Sequence, residues 1–331
     1  MNPHVSVIIP TANRPQYLPR AVESALAKMV PDEVEVIVVP NGPDDSWRKS
    51  LLPYFSNPAL KVIPISIADA NVARNAGLKC SRGFFVRFLD DDDYLIPENS
   101  RKQIEFAYSS GADFCSGFLH SIDDKGNLLG ILPFPENHDF VCASLSISGF
   151  TLPTGNLIRR SCIGETRWEE GIPRMQDYAW MMKLALSREW KWEHYYAPVG
   201  YWYQHPNQRI STMRTYTERQ NKVIDIILNL YKFLEEQDRL NDCRRYAISV
   251  ALWHLIHHSF PHQPLYFSDV AMKAINIHGG SRPEHPIFKS ILLRKLHPLF
   301  SEWAMLPFRI FVRKLKDLKG NCFGWDYRRR L

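Results

Sequence analysis

Several protein classes are excluded by what this chain of 331 residues lacks. No apolar run approaches the roughly 20 residues that a membrane-spanning helix needs. The opening Met1-Asn2-Pro3-His4 leads straight into an apolar segment without a signal-peptide layout, so secretion is not expected. The six cysteines, Cys80, Cys115, Cys142, Cys162, Cys243 and Cys322, are scattered and include no C-x-x-C pair. They suit reduced thiols in a cytoplasmic protein, not a disulfide frame or a zinc site. His254 and His258 have the i,i+4 spacing of a zinc pair, but the glutamate of an H-E-x-x-H pattern is missing. There is no internal repeat and no low-complexity linker. Nor do aromatic and basic residues interleave as in a nucleic-acid-binding module, so no nucleic-acid partner is expected.

What is present is a large stock of core material. Hydrophobic residues make up 45% of the chain and aromatics 12%, enough for one large core or two modest ones. Through residue 119 the pattern alternates. Apolar strands are expected at 5–10, 34–39, 60–65, 84–89 and 113–119. Helices are expected at 16–28, from the Asp45-Ser46 cap through Tyr54, at 71–80 and at 98–108. Such alternation implies an α/β fold, a mostly parallel sheet covered by helices on both faces. Asp123 to Asn127 reads as a turn between two antiparallel strands, and residues 154–158 as an extended piece. Residues 176–188 read as a helix, and 192–203 as strands interrupted at Pro198. From Thr217 the spacing is mainly helical, with Pro298 and Pro307 expected to cut residues 286–320 into short helices.

Four consecutive aspartates, Asp90 to Asp93, end the apolar run Phe84-Phe85-Val86-Arg87-Phe88-Leu89. Like charges this close repel by about 1 kcal/mol per pair at 4 Å even in water, and by more when partly buried. No Lys or Arg follows within the next seven residues. Hard divalent ions such as Mg²⁺ or Mn²⁺ take carboxylate oxygens and share them with substrate phosphates, so a cation is the expected counter-charge. A solvated acidic turn or a helix cap ahead of Pro97 is the alternative. In an extended segment Asp90 and Asp92 share one face, Asp91 and Asp93 the other. Two other polar segments follow strands: Thr11-Ala12-Asn13-Arg14 and Asn41-Gly42-Pro43-Asp44-Asp45. Ligands of open parallel sheets bind outside the strands' carboxyl ends, where strand order reverses, so the three are expected to meet in one crevice.

These segments, together with Ala73-Arg74-Asn75-Ala76-Gly77, resemble the family 2 glycosyltransferases of the GT-A fold. The likeness is close over roughly the first 120 residues and looser to about residue 212. It implies a Rossmann-like GT-A domain over residues 1–215, with a nucleotide-sugar-binding half at 1–120 and an acceptor-side half at 121–215. A helical C-terminal region at 216–331 would follow. The implied reaction is inverting transfer of a sugar from a nucleotide-sugar donor, usually UDP-linked, to a hydroxyl of a glycan or lipid-linked acceptor. By the same resemblance, Thr11 and Asn41 border the nucleobase, with Pro10, Asn13 and Arg14 in the same donor-binding stretch. Arg74 lies beside the donor, Asp90 and Asp91 belong to its binding, and Asp92 holds Mn²⁺ or Mg²⁺. The family often has acids where Pro40 and Asn41 stand here, which leaves the base open. Asp177 resembles the family's catalytic base, with Gln176 in place of the usual Glu. On the residues alone a helix N-terminal residue favoured by the macrodipole is the stronger reading; the upstream Thr154-Gly155-Asn156 and the spacing to Asp92 favour the catalytic one. His205 would complete the metal shell and Arg209 would reach the diphosphate. Trp168, Trp180, Trp190, Trp192 and Trp202 could stack on sugar faces, although core packing is the default for aromatics of this kind.

Basic residues dominate the end of the chain. Phe308, Phe311, Val312, Leu315 and Leu318 fall on one side of a helix, with Arg309, Arg313, Lys316 and Lys319 on another. A basic amphipathic helix of this kind can lie on an anionic membrane, which would make the protein peripheral to the membrane's inner face. It can also pack on the catalytic domain with a solvated basic side. Two other functions stay open on sequence: a sugar-phosphate nucleotidyltransferase, although residues 11–15 lack the glycines of a phosphate loop, and a non-catalytic carbohydrate-binding protein.

Overall fold

The computed structural model describes residues 3–27, 33–135, 137–146, 149–172, 175–205, 218–283, 285–290 and 293–322. The chain divides into two compact units, Met1–Arg214 and Thr215–Leu331.

In the first unit nine strands form one sheet: β1 (Val5–Thr11), β2 (Val34–Pro40), β3 (Leu60–Val62), β4 (Phe85–Phe88), β5 (Tyr94–Leu95), β6 (Phe114–Asp123), β7 (Leu128–Leu132), β8 (Asn156–Arg159) and β9 (Trp192–Gln204). The helices are α1 (Leu18–Leu26), α2 (Trp47–Leu51), α3 (Ala70–Cys80), α4 (Pro97–Ser110), α5 (Phe140–Leu145), α6 (Arg160–Ile163) and α7 (Gln176–Ser187). The strand order is β3-β2-β1-β4-β8-β6-β9-β5, with β7 also on β6. β1 and β2 are buried at every residue, as parallel strands covered on both faces must be. Their side chains join those of α1, with Leu18, Ala21, Val22 and Ala25, in one apolar core.

The sheet bears out the α/β expectation, with parallel ladders joined by antiparallel pairs on its second half. β3, β2, β1 and β4 are mutually parallel, and β6 is parallel to β9. β4–β8, β6–β8, β6–β7 and β5–β9 are antiparallel. The reason is connectivity. After residue 113 the strands are no longer all joined by crossover helices; β6 and β7 are a hairpin through the turn at Asp123–Asn127, where Gly126 has φ 82°. Three local expectations change. The strand from Leu60 ends at Val62 rather than Ile65, which keeps only an isolated bridge to Asn41. Residues 192–204 are one strand, not two, because register shifts around Pro198 absorb a residue that cannot donate to the ladder. In the second unit Pro298 opens a helix that continues through Pro307 to Cys322.

β1 therefore sits at the reversal of strand order, with β2 on one side and β4 on the other. The aspartates lie between β4 and the two-residue β5. β5 pairs with Tyr201 and Gly200 of β9, which brings the end of β9 to the same place. The second unit is helical: α8 (Glu218–Glu236), α9 (Asp242–Ser259), α10 (Pro264–Ile277) and α11 (Pro298–Cys322), with short 3-10 turns at Pro286–Lys289 and Leu293–Lys295.

Candidate active site

The aspartates form a turn, Asp93 N–H donating to the Asp90 carbonyl at 3.1 Å, so the two shared faces of an extended segment are not formed; only burial alternates. Asp91 and Asp93 are buried, while Asp90 and Asp92 keep some exposure. Asp91 Oδ2 accepts from Thr11 Oγ1 at 2.7 Å, and Asn41 Nδ2 donates to the Thr11 carbonyl at 2.9 Å. The ends of β1, β2 and β4 are thus tied into one floor, with Pro10 buried at the end of β1. Asn13 turns the chain after β1 in the left-handed region at φ 56°, which asparagine tolerates better than most residues. Asp93 points the other way, accepting from Thr154 Oγ1 at 3.0 Å and from the Tyr203 backbone N–H at 3.1 Å.

The missing counter-charge arrives from elsewhere in the chain. Arg14 Nη1 lies 2.8 Å from Asp92 Oδ2 and 3.3 Å from Asp91 Oδ1. Arg74, buried on α3, reaches Asp90 Oδ1 at 2.7 Å. Arg20 donates to the Asp92 carbonyl at 2.9 Å, held between the Tyr94 and Tyr203 rings at 4.1 Å from each. Even so, burial and then the neighbouring Asp92 charge push the Asp91 carboxyl up to about 7. Burial, Asp92 and Asp90 push Asp93 well above the carboxylate range. For Arg14 burial opposes the charge, but Asp91, Asp92 and Asp90 outweigh it and raise the guanidinium pKa.

His205, just past β9, places Nε2 2.9 Å from Asp92 Oδ2, its ring stacked on Tyr17 with centroids 4.7 Å apart. Among the described residues no group of three or more His, Cys, Asp or Glu is set to hold a metal ion. An ion on Asp92 and His205 would therefore draw its remaining ligands from phosphate and water, which is the habit of Mg²⁺ and Mn²⁺. The oxygen–nitrogen pair fits such an ion. Arg14 would compete with it for the same Asp92 oxygen.

Arg74 links the quartet to α7. Its Nη1 donates to Asn71 Oδ1 and to Gln176 Oε1, both at 2.9 Å, and its guanidinium lies 4.5 Å from the Trp168 ring centroid. Met175, before the first residue of α7, is left-handed at φ 53°, uncommon without glycine and a frequent companion of functional sites. Asp177 follows in the first turn. Its Oδ1 is sealed from solvent and has no hydrogen-bond partner. A buried acceptor in that state costs about 1–3 kcal/mol. Burial pushes the Asp177 carboxyl up to about 7; Arg74 pulls it back and Asp90 pushes with the burial.

The structure thus brings Pro10, Thr11, Asn13, Arg14, Asn41, Arg74, Asp90, Asp91, Asp92, Asp177 and His205 into the first unit, with the carboxylates, arginines and His205 linked as above. Arg209 lies outside the described residues. Trp168 and Trp180 stack on each other at 4.8 Å and are buried, so they serve the core under Arg74 instead of an open sugar-binding face. Sequence reasoning missed Tyr17, Arg20 and Asp93 as parts of this network. The extended alternation would have set Asp93 beside Asp91; the turn instead directs Asp93 toward Thr154 and Tyr203.

Residues 6–163 match the model of glycosyl transferase family 2. An uncharacterized glycosyltransferase of Methanocaldococcus jannaschii is 23% identical over 198 residues, 58% of this chain and 67% of its own. The chondroitin synthase of Escherichia coli is 31% identical over 137 residues, 38% of this chain but only 19% of that enzyme. Among solved structures, S. aureus TarS 1–349 in complex with UDP-GlcNAc superposes with a TM-score of 0.65 at 19% identity, covering 83% of this chain and 80% of that 1–349 chain. That identity bears on the fold alone, which is GT-A-like. Residues 6–163, a little under half of the chain, are thus similar to glycosyl transferase family 2, on a fold that is GT-A-like.

Proposed function

We propose that the protein transfers a sugar, with inversion, from a nucleoside diphosphate donor to a hydroxyl of a glycan or lipid-linked acceptor. We take the donor to be a UDP-sugar and the setting to be polysaccharide or glycolipid assembly. The observation that carries the reading is Asp177: a buried carboxylate oxygen without a partner, at a helix N-terminus, beside the Arg74–Asp90 pair. TarS holding UDP-GlcNAc and the chondroitin synthase relative support the donor class and the kind of product.

In this mechanism Thr11 and Asn41 form the rim of the nucleobase pocket, and Asp90 faces the ribose. Arg74 pairs with Asp90 and offers its guanidinium to the diphosphate when the donor binds. Arg209 is assigned to the same diphosphate by resemblance alone. Asp92 and His205 would hold Mn²⁺ or Mg²⁺, which supplies charge for the departing diphosphate. Asp177 takes the acceptor's hydroxyl proton as that oxygen bonds the anomeric carbon. The carbon–oxygen bond to the diphosphate breaks, and the nucleoside diphosphate leaves with the electron pair. Gln176 accepts from Arg74 and donates to the Ile172 carbonyl at 2.8 Å, which fixes the first turn of α7 and hence the approach of Asp177.

The test is a donor screen that reads nucleoside diphosphate release with and without Mn²⁺, followed by Asp177→Asn. That substitution is expected to keep donor binding by calorimetry while cutting turnover by at least about 10²-fold, as loss of a general base does. Near-normal turnover would remove Asp177 from the role.

A further inference from the structure

The helical unit carries an apolar face that its own core leaves uncovered. On α11, Ser301, Glu302 and Leu306 are buried. Phe300, Trp303, Phe308, Phe311 and Leu315 are exposed, Phe308 at 69% and Phe311 at 59%. Phe300, Phe308, Phe311 and Leu315, with Ala304 between, recur at intervals of three and four residues, so they lie along one side of the helix. The face continues onto α10. Trp303 Nε1 donates to Ser268 Oγ at 3.0 Å, and its ring meets Phe260 edge-on at 5.5 Å. Leu265, 76% exposed, and Met272 share the α10 side that carries Ser268. Five large apolar side chains on one helix, with two more beside them, form a contiguous patch of the kind that marks an interaction site.

Charge identifies the occupant. From residue 309 to 322 the chain has five basic residues, Arg309, Arg313, Lys314, Lys316 and Lys319, against one acid, Asp317. Arg309 is already held by the buried Glu302 at 2.6 Å. Four further basic positions, Arg313, Lys314, Lys316 and Lys319, follow along the same helix within about three turns of Phe308, and Asp269 is the acid of α10. A second copy of the chain would bring the same positive charge against this one and repel it. We propose that the α10–α11 face docks on an anionic membrane, with Phe300, Trp303, Phe308, Phe311 and Leu315 entering the headgroup–acyl boundary and the lysines and arginines meeting lipid phosphates. Trp303 suits that depth: its indole N–H is bonded to Ser268, so the exposed part of the ring is apolar. No described helix is long and apolar enough to cross a membrane, so the contact is in-plane. The proposal rests on this face and not on the reaction assigned above.

The full chain is mixed with phosphatidylcholine vesicles with and without phosphatidylglycerol, and the bound fraction is read by sedimentation. The expected result is binding that depends on phosphatidylglycerol and weakens with salt. Phe308→Ser with Phe311→Ser is expected to lower the partition by roughly tenfold or more, since two apolar anchors are lost. Both positions are exposed, so the thermal melt stays as in the parent, which separates lost docking from lost folding. Lys314→Glu is expected to weaken binding at low salt and much less at high salt. The proposal is overturned if the full chain stays in the supernatant with both vesicle types, if it binds both equally, or if the double variant sediments like the parent. A parent that is dimeric by sedimentation velocity, ignores vesicles and becomes monomeric in the double variant also overturns it, and makes the face a self-association surface.

Discussion

Arg14 is the residue on which the electrostatics of the site turn. It stands 2.8 Å from the Asp92 oxygen that also meets His205, so the divalent cation proposed there would be an alternative to the guanidinium as counter-charge for one carboxylate. Arg14→Gln is expected to cost about 1–3 kcal/mol of stability in metal-free buffer, because it leaves partly buried carboxylates unpaired. Added Mn²⁺ should restore most of the loss, since a ligand that binds only the native state stabilises it. Thermal melts with and without Mn²⁺ check this; a variant that melts like the parent in both buffers contradicts it. Asp177 sets the pH response. Its carboxyl is held up at about 7, above the ordinary carboxylate value, and a base works only when deprotonated. kcat/KM is therefore expected to fall about tenfold per pH unit below 7 and to level off above it. The stability sign is opposite. The folded state binds the Asp177 proton more tightly than the unfolded chain, so this group's contribution to stability is present below the ordinary carboxylate value, is lost as pH rises from there to about 7, and stays lost above it. Asp177→Asn should accordingly melt higher than the parent at pH 8, with the difference shrinking by pH 5.

At the scale of elements, the site depends on how closely α3 lies on β1. Gly77 of α3 faces Ile8 and Val39, and a Cβ there would overlap the Ile8 Cγ2 methyl. Ile8 is fully buried and β-branched, so it cannot swing aside. Gly77→Ala is expected to push α3 outward, at a cost of about 1–3 kcal/mol for overpacking, and to move Arg74 away from Asp90. A lowered melting temperature with a raised KM for the donor is the expected pair of results. β1, β2, α1, α3, α4 and α7 were legible in the sequence because each carries its own periodicity or cap; Asp69, for example, caps α3 through the N–H groups of Asn71 and Val72. The mixed sheet was not legible. Pairing partners of β8 and β9 are set by non-local contacts, and local apolar patterning cannot distinguish a parallel neighbour from an antiparallel one. Pro198 and Pro307 misled for a related reason. Proline signals a lost backbone donor, and whether the element bends, bulges or continues is decided by what packs around it.

For the whole molecule, every described residue assigned to the site lies in Met1–Arg214, and the second unit contributes none of them. Residues 1–214 produced alone are expected to bind a UDP-sugar within about threefold of the full chain, a ratio of less than 1 kcal/mol. Calorimetry checks this, and loss of binding in a folded fragment would show that the helical unit takes part in the donor site. The sequence by itself determined the alternating α/β half, the convergence of three polar segments at strand ends and the acidic quartet, because these follow from local periodicity and from the rule for ligand sites in open sheets. The charge balance of that quartet was decided by tertiary structure alone. The nearest basic residue downstream is Arg101, yet Arg14, Arg20 and Arg74 are the ones that fold onto Asp90, Asp91 and Asp92. Electrostatic energy depends on distance through space, and a chain's order does not encode that distance until the sheet has closed around it.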